Sequence, residues 1–198
     1  MKITVKKNLC RVSGAPLTKV LDFGMQPLGN GFLGDKDIKT EYFYSMEIGF
    51  SEASMMLQLI EQPIPEKMFH DHYAFYSSTS RVMEQHFKSF AEEVLDSNYL
   101  SKGDPFVVEL GCNDGIMLKH IVKHGVTAIG VEPSANVAKE ASSHGVNVFV
   151  EFFGAACADK IASRYGAIDL IYSANVICHI PDVLDVFNSS SKLLKDDG

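Results

Sequence analysis

The chain has 198 residues, of which 46% are hydrophobic, 18 are basic and 25 are acidic, for a formal net charge of −7. Its apolar fraction is that of a globular protein and is too high for a disordered one. The acidic balance argues against binding to nucleic acid or to an anionic membrane, because both partners need a basic surface. No apolar run approaches the ~18 residues of a membrane span, and the N-terminus lacks the apolar core of a secretory signal.

Three regions differ in composition. Residues 1–62 contain short apolar pieces between turn signals, which predicts a small β-rich module. Its predicted strands are residues 19–23, 42–48 and 55–60. Residues 63–103 begin with two prolines and predict a connecting segment and a helix that packs on the next domain, with apolar residues at helical spacing from Val82 to Leu95. A serine before this helix is the predicted N-cap: Ser77, Ser78 or Ser80.

Residues 104–198 alternate strands with helices. The predicted strands are 106–110, 128–131, 146–150 and 168–172, and the helices that follow them are 116–123, 136–144, 155–164 and 183–194. Four successive β-α units predict an α/β fold with a parallel, doubly wound sheet. The sequence ends at Gly198 on a helix end and a turn, where such a fold normally begins another strand, so we expect a truncated α/β domain.

The four cysteines are scattered along the chain: Cys10, Cys112, Cys157 and Cys178. This spacing suits a reducing compartment better than a disulfide framework, so the predicted location is cytoplasmic. No activating partner is evident for Cys178, which is therefore predicted to be a small buried residue and not a nucleophile.

The first β-α turn of the α/β region carries Gly111 and Gly115 in a G-x-x-x-G spacing. The dinucleotide fingerprint G-x-G-x-x-G is absent, which disfavours an NAD-dependent dehydrogenase. Glu109 and Asp114 would repel a pyrophosphate, which needs bare N–H groups at a helix N-terminus. The two carboxylates suit a ligand with a cationic centre and hydroxyls, such as S-adenosylmethionine (SAM); an ordinary tight turn is the alternative.

The second predicted strand ends at Glu132, 21 residues after Gly111. An acidic residue at this place typically accepts hydrogen bonds from ribose hydroxyls. Pro133 and Ser134 follow it and equally suit the start of a helix. The two motifs together favour a SAM-type site.

The third predicted strand ends in Glu151, Phe152 and Phe153. The carboxylate suits the amino group of adenine and a phenyl ring can stack on the base, whereas packing of both rings in the core is the alternative. The fourth strand leads to Asn175 and His179, which are candidates to face cofactor and substrate because the carboxyl ends of strands line the crevice of such sheets. A purely structural His179 is the alternative.

These segments together resemble a known family: VELGCNDGIMLKH, GVEPSANVA, EFF and ANVICHIP are similar to the SAM-dependent sugar C-methyltransferases. The likeness extends upstream to MFH with Tyr73, to CRVSG and to LDFG followed by QPL, so it covers nearly the whole chain. It implies C-methylation of a nucleotide-linked 4-keto-deoxysugar at carbon 3. A base removes the proton beside the ketone, donors stabilise the enolate, and the carbon attacks the SAM methyl.

The resemblance also implies the roles of individual residues. Cofactor-binding roles fall on Glu109, Gly111, Asn113, Asp114, Gly115, Glu132, Pro133, Ser134, Glu151, Phe152, Phe153 and Asn175. Substrate-binding roles fall on Tyr73, Tyr76 and Ser77, and His179 is the candidate catalytic residue. The implied partner is a small molecule, a nucleotide-sugar. The resemblance implies that the base, a histidine, lies beyond residue 198, so no residue of this chain is assigned that role.

The sequence departs from the family in its N-terminal module, which binds zinc through two Cys-x-x-Cys pairs in a closed tetrahedral site. The corresponding positions here are Cys10, Ser13, Ser51 and Ser54, so one thiolate of four remains. A serine hydroxyl is a poor zinc ligand. We therefore predict that no metal is bound and that the module is held by packing. A methyltransferase of another small-molecule acceptor and a non-catalytic SAM-binding fragment remain the alternative functions.

Overall fold

The computed structural model describes residues 8–29, 31–100 and 103–198, and the chain divides into two compact units. The first unit is the chain up to Phe69 together with His179–Leu184. The second unit is His70–Cys178 together with Asp185–Gly198.

The first unit is built on an antiparallel sheet, which confirms the predicted β-rich module. Its strands are β1 (Thr18–Pro27), β2 (Phe43–Ser51) and β3 (Met56–Leu59), in the order β1-β2-β3. From Glu47 to Ser51 of β2 the buried positions alternate with more exposed ones, as expected of a sheet with one covered face. A one-turn helix, α1 (Pro65–Met68), follows; the sequence did not predict it because a single turn has no measurable periodicity.

The second unit begins with the segment that leads into α2 (Arg81–Asp96). Ser80 is the N-cap among the three candidate serines, and its side chain accepts a hydrogen bond from the backbone N–H of Met83 at 3.4 Å. The buried face of α2, with Phe87, Ala91 and Val94, joins the same hydrophobic core as the strands that follow.

A four-stranded parallel sheet forms the centre of the second unit. Its strands are β4 (Phe106–Leu110), β5 (Thr127–Val131), β6 (Asn147–Phe149) and β7 (Leu170–Ser173), in the order β6-β5-β4-β7. All five residues of β4 are buried, as expected of the inner strand of a parallel sheet covered on both faces. The helices that follow α2 are α3 (Leu118–Lys123), α4 (Ala135–Ser143), α5 (Ala155–Tyr165) and α6 (Val183–Leu193), and α6 belongs to this unit from Asp185 onward. The predicted α/β fold class is thereby confirmed.

The cysteines differ from the prediction at one position. Cys10, Cys112 and Cys157 are buried, and all four thiols are free. Cys178 is exposed, so its predicted burial was wrong. It lies in a short 3-10 turn, Ile177–His179, that follows the end of β7 and in which no residue is buried. Among the described residues, no helix has the length and apolar character needed to cross a membrane.

Candidate functional site

The carboxyl ends of β4 and β5 bring the first two predicted motifs together. The backbone N–H of Gly111 donates to the carbonyl of Val131 at 2.7 Å, so the two strand ends stay paired as their loops begin. Strand order reverses at β4, with β5 and β6 on one side and β7 on the other. Ligands of open α/β sheets bind at such a switch point, at the carboxyl ends of the strands.

Glu132 joins the loops that follow β4 and β5. One carboxylate oxygen accepts from the backbone N–H of Asn113 at 3.1 Å, and the other accepts from the backbone N–H of Ser134 at 2.8 Å. Burial raises the pKa of Glu132, and these two backbone hydrogen bonds oppose that rise. The carboxylate is therefore held in one orientation, and each oxygen keeps a lone pair for a ligand hydroxyl.

Glu109 is a buried acid inside β4. It is 3% exposed, and it accepts a hydrogen bond from the Tyr172 hydroxyl at 2.7 Å. Burial raises the pKa of Glu109 to about 8, the negative charges of Asp114 and Glu132 act in the same direction, and the Tyr172 hydrogen bond opposes them. The carboxyl group is therefore mostly protonated near neutral pH in the absence of a ligand.

Asp114 carries a buried acceptor atom that lacks a partner. Its Oδ2 accepts from the backbone N–H of Ser78 at 2.9 Å, whereas no described residue hydrogen-bonds to its Oδ1. Unpaired buried polar atoms are rare and costly, so this atom favours a ligand with a donor or a positive charge. The acidic neighbourhood of Glu109, Asp114 and Glu132 thus fits SAM, which carries a cationic centre and hydroxyls.

Gly111 and Gly115 lie at positions of the turn after β4 where the backbone and the available space require glycine. Both have a left-handed backbone, with φ of +69° at Gly111 and +75° at Gly115. A Cβ at Gly111 would lie 2.3 Å from Cγ2 of Val176, and a Cβ at Gly115 would lie 3.0 Å from Cβ of Ala141. Neighbouring side chains therefore occupy the space that the missing Cβ atoms leave.

The side chain of Asn113 holds a neighbouring segment in place. Its Oδ1 accepts from the backbone N–H groups of Ser77 at 3.0 Å and Asp114 at 2.9 Å, and its Nδ2 donates to the carbonyl of Phe75 at 3.0 Å. Asn113 adopts a left-handed backbone, φ +49°, which asparagine tolerates better than most residues. Asn113 and Asp114 thus both anchor the segment that contains the predicted substrate residue Ser77.

Asn136, a residue that the sequence analysis did not single out, holds the two predicted substrate tyrosines. Its Oδ1 accepts from the backbone N–H of Tyr73 at 3.2 Å, and its Nδ2 donates to the carbonyl of Tyr73 at 2.8 Å. The same Nδ2 donates to the hydroxyl of Tyr76 at 2.9 Å. Asn136 lies 63 residues from Tyr73 in sequence, so no local pattern reveals this contact.

The remaining cofactor candidates of the second unit lie after β5, β6 and β7. Pro133 is half-buried next to Glu132. The two carboxylate oxygens of Glu151 accept from Nζ of Lys160 at 2.7 and 2.9 Å, and this pair lies at the protein surface. Phe152 is exposed, Phe153 is half-buried, and Asn175 is exposed with φ +59°. Their roles toward adenine and cofactor stay predictions.

His179, the predicted catalytic residue, groups with the first unit. Its ring packs edge-on against Phe69 with a centroid distance of 5.8 Å. The backbone carbonyl of the next residue, Ile180, accepts from the Arg11 guanidinium at 3.1 Å. The catalytic role of His179 stays a prediction.

The parallel sheet of the second unit, with its glycine turn after β4 and an acid after β5, defines a Rossmann-like fold of the class I SAM methyltransferases. In agreement, residues 71–198 match a family described as "Methyltransferase domain". This match covers more than half of the chain, and the chain therefore belongs to that methyltransferase family. Residues 10–69 match a second description, "Putative zinc binding domain".

Several curated proteins are similar to this chain. The C-methyltransferase NovU of Streptomyces niveus is 31% identical over 191 residues, which are 96% of this chain and 45% of NovU. The ubiquinone biosynthesis O-methyltransferase of Bartonella bacilliformis is 26% identical over 93 residues, which are 46% of this chain and 38% of that protein. The chain thus spans less than half the length of these relatives.

Solved structures of methyltransferases also resemble the chain. The plantazolicin methyltransferase BpumL in complex with SAH has a TM-score of 0.48 at 18% identity, covering 61% of this chain and 48% of that one. The magnesium protoporphyrin IX methyltransferase ChlM of Synechocystis with bound SAM has a TM-score of 0.43 at 17% identity, covering 57% and 54%.

Proposed function

We propose that the second unit binds SAM at the carboxyl ends of β4 and β5. Glu132 is oriented by two backbone N–H groups and would accept hydrogen bonds from the ribose hydroxyls. The unpaired Oδ1 of Asp114 would face the positively charged part of the cofactor, and Glu109, protonated in the free protein, would ionise when that charge binds. Bound SAM supplies an activated methyl group on a cationic sulfur.

We further propose that the acceptor is a carbon atom of a nucleotide-linked 4-keto-deoxysugar, at carbon 3. The observation that carries this proposal is the alignment with the C-methyltransferase NovU, which runs through both units of the chain. A generic small-molecule methyltransferase has no need of the first unit, and the similarity to ubiquinone O-methyltransferases is confined to less than half of the chain. An O-methyl acceptor is the second candidate, and that shorter match favours it.

The residues of this chain would contribute mainly by positioning. Asn113, Asp114 and Asn136 fix the segment that carries Tyr73, Tyr76 and Ser77, so the candidate substrate groups stand on a hydrogen-bonded support. Donors near the sugar oxygen would stabilise the enolate that forms when a base takes the proton of the neighbouring carbon; that carbon would then take the methyl group, and SAH would leave. Positioning of this kind accounts for a large share of catalysis in reactions that join two bound reactants.

Calorimetry on the purified chain tests the cofactor proposal. We expect SAM and S-adenosylhomocysteine (SAH) both to bind, and Glu132→Gln to weaken binding at least about tenfold, because a charged hydrogen-bond acceptor is worth ~1.5–3 kcal/mol. Glu140→Gln, at an exposed position of α4, is the matched control and should bind as the unmodified chain does. Absence of any heat or thermal shift with either ligand contradicts the cofactor proposal.

Methyl transfer tests the acceptor separately. SAM with a ¹³C-labelled methyl group is incubated with a nucleotide-linked 4-keto-6-deoxysugar, and the product is examined by NMR for a new carbon–carbon bond at carbon 3. Labelled methyl on an oxygen, or transfer to a ubiquinone precursor only, contradicts the sugar assignment while the cofactor proposal stands.

A further inference from the structure

The first unit brings together the four positions at which the zinc-binding type of module carries cysteines. They are Cys10, Ser13, Ser51 and Ser54, within the region that matches a zinc-binding description. Among the described residues there is no group of three or more His, Cys, Asp or Glu that is placed to hold a metal ion. A site with one thiolate and three hydroxyls does not fit zinc, which takes four strong N, S or carboxylate ligands.

The cluster has two halves, the turn at residues 10–13 and the turn at residues 51–54, and both have the same hydrogen-bond geometry. In the first half, the backbone N–H of Ser13 donates to Sγ of Cys10 at 3.4 Å. In the second half, the backbone N–H of Ser54 donates to Oγ of Ser51 at the same distance. Each half is therefore closed by the same bond, from the fourth residue of the turn to the side chain of the first.

Hydrogen bonds join the two halves at the sulfur atom. Sγ of Cys10 lies 3.2 Å from Oγ of Ser54, although the residues are 44 positions apart. Nε2 of Gln58, on β3, donates to the same sulfur at 3.2 Å, and Oε1 of Gln58 accepts from the backbone N–H of Arg11 at 2.9 Å. Cys10 and Gln58 are 3% and 5% exposed, so these contacts are shielded from water.

Gln58 presents a hydrogen-bond donor to the sulfur of Cys10. Its Nε2–H group points at Sγ, so it occupies one side of the sulfur and compensates the partial negative charge there. Removing a zinc site normally unfolds a small module, because the metal supplies much of its folding free energy. In this module the buried sulfur instead has hydrogen-bond partners, so it is satisfied without a metal.

We propose that this cluster of Cys10, Ser13, Ser51, Ser54 and Gln58 replaces the zinc ion as the cross-link of the first unit. Side-chain hydrogen bonds connect the turn at Cys10 with the turn at Ser51. Gln58 adds a hydrogen bond to the sulfur where a zinc-binding module would have the metal. The module consequently folds without metal. This inference does not depend on the proposed methyl transfer.

Metal content and thermal unfolding of the whole chain test the proposal. We expect well under about 0.1 zinc per chain after growth in zinc-supplemented medium, and no change of Tm on addition of a chelator. About one zinc per chain, with a fall in Tm on chelation, overturns the proposal.

Two variants sharpen the test. Gln58→Ala removes one hydrogen bond to the sulfur and the bond that Oε1 accepts from the backbone N–H of Arg11, and we expect it to lower Tm by at least several degrees. The matched control Gln85→Ala, at an exposed position of α2, should leave Tm unchanged. Equal Tm values for Gln58→Ala and the control overturn the role of Gln58.

The triple variant Ser13→Cys, Ser51→Cys, Ser54→Cys tests whether the cluster lies where a zinc ion would be bound. If the cluster occupies the place of a zinc ion, four thiols then surround one point and the variant takes up about one zinc per chain. Absence of zinc uptake by a folded triple variant contradicts the proposal that the cluster stands in for the metal. If Gln58→Ala fails to fold, the metal content of the unmodified chain and the triple variant still decide the question.

Discussion

The hydroxyl of Tyr172 donates to the buried carboxyl group of Glu109 at 2.7 Å, and the two residues are direct partners in the register of β4 and β7. The parallel pairing thereby places a donor beside an acid that would otherwise be fully desolvated. Because this pair lies in the candidate site, the ionisation of Glu109 should respond to changes in that site.

Stability should depend on pH through Glu109. Its folded-state pKa of about 8 lies above the usual 4.5, so the folded chain retains a proton that the unfolded chain has released. The stabilising contribution is complete at low pH and is lost as pH rises through this window. Glu109→Gln should therefore flatten the decline of the free energy of unfolding between about pH 5 and 8, as measured by urea titration.

Tyr172→Phe is a control that should change the pH dependence of stability in the opposite direction. It removes the hydrogen bond that favours the ionised carboxylate, so the decline should extend to higher pH. A residual slope should persist in Glu109→Gln, because burial also raises the pKa of Glu132. Identical pH profiles for the unmodified chain and Glu109→Gln would show that Glu109 is ionised in the folded state.

Cofactor binding should release protons below about pH 8 if SAM occupies the proposed site. The positive charge of the ligand favours the ionised form of Glu109, which holds a proton in the free protein. The enthalpy of binding should therefore differ between phosphate and Tris buffers, whose ionisation enthalpies differ. Glu109→Gln should lose most of that difference, and equal enthalpies in both buffers for the unmodified chain would contradict the prediction.

Gly111→Ala should be more damaging than an equivalent change at another left-handed glycine. The new Cβ would meet Val176 at 2.3 Å, and the backbone has φ +69°. Strain and overpacking together predict a loss of about 3 kcal/mol in the free energy of unfolding, with weaker SAM binding.

Gly125→Ala is the matched control for the glycine turn. Its φ is +77°, and no atom lies within 4 Å of the added Cβ, so it reports backbone strain alone, about 1 kcal/mol. Equal losses in the two variants, by urea titration, would show that Val176 moves away without cost.

Asn136→Ala should loosen the segment around Tyr73. It removes three hydrogen bonds, and we expect a loss of ~1–3 kcal/mol in the free energy of unfolding and faster hydrogen exchange at the backbone amide of Tyr73. Tyr76→Phe removes one of the three and should leave that amide as protected as before. If both variants exchange alike at Tyr73, the Asn136 side chain does not hold this segment.

The pattern of apolar residues was sufficient to predict the α/β class, because strand and helix periodicities are local properties of the sequence. The turn at Gly111 and the acid at Glu132 were also predicted from spacing along the chain, and the structure joins their loops through the hydrogen bond from Asn113. The exposure of Cys178 was not predicted, because it depends on where β7 ends.

The sequence by itself determined that a β-rich module precedes four β-α units, and that carboxylates follow the first two strands of those units. Only the tertiary structure decided which groups share an environment: Tyr172 with Glu109, Val176 with Gly111, Asn136 with Tyr73, and Gln58 with Cys10. These partners lie tens of residues apart, so their contact depends on strand order and register, which no local pattern encodes.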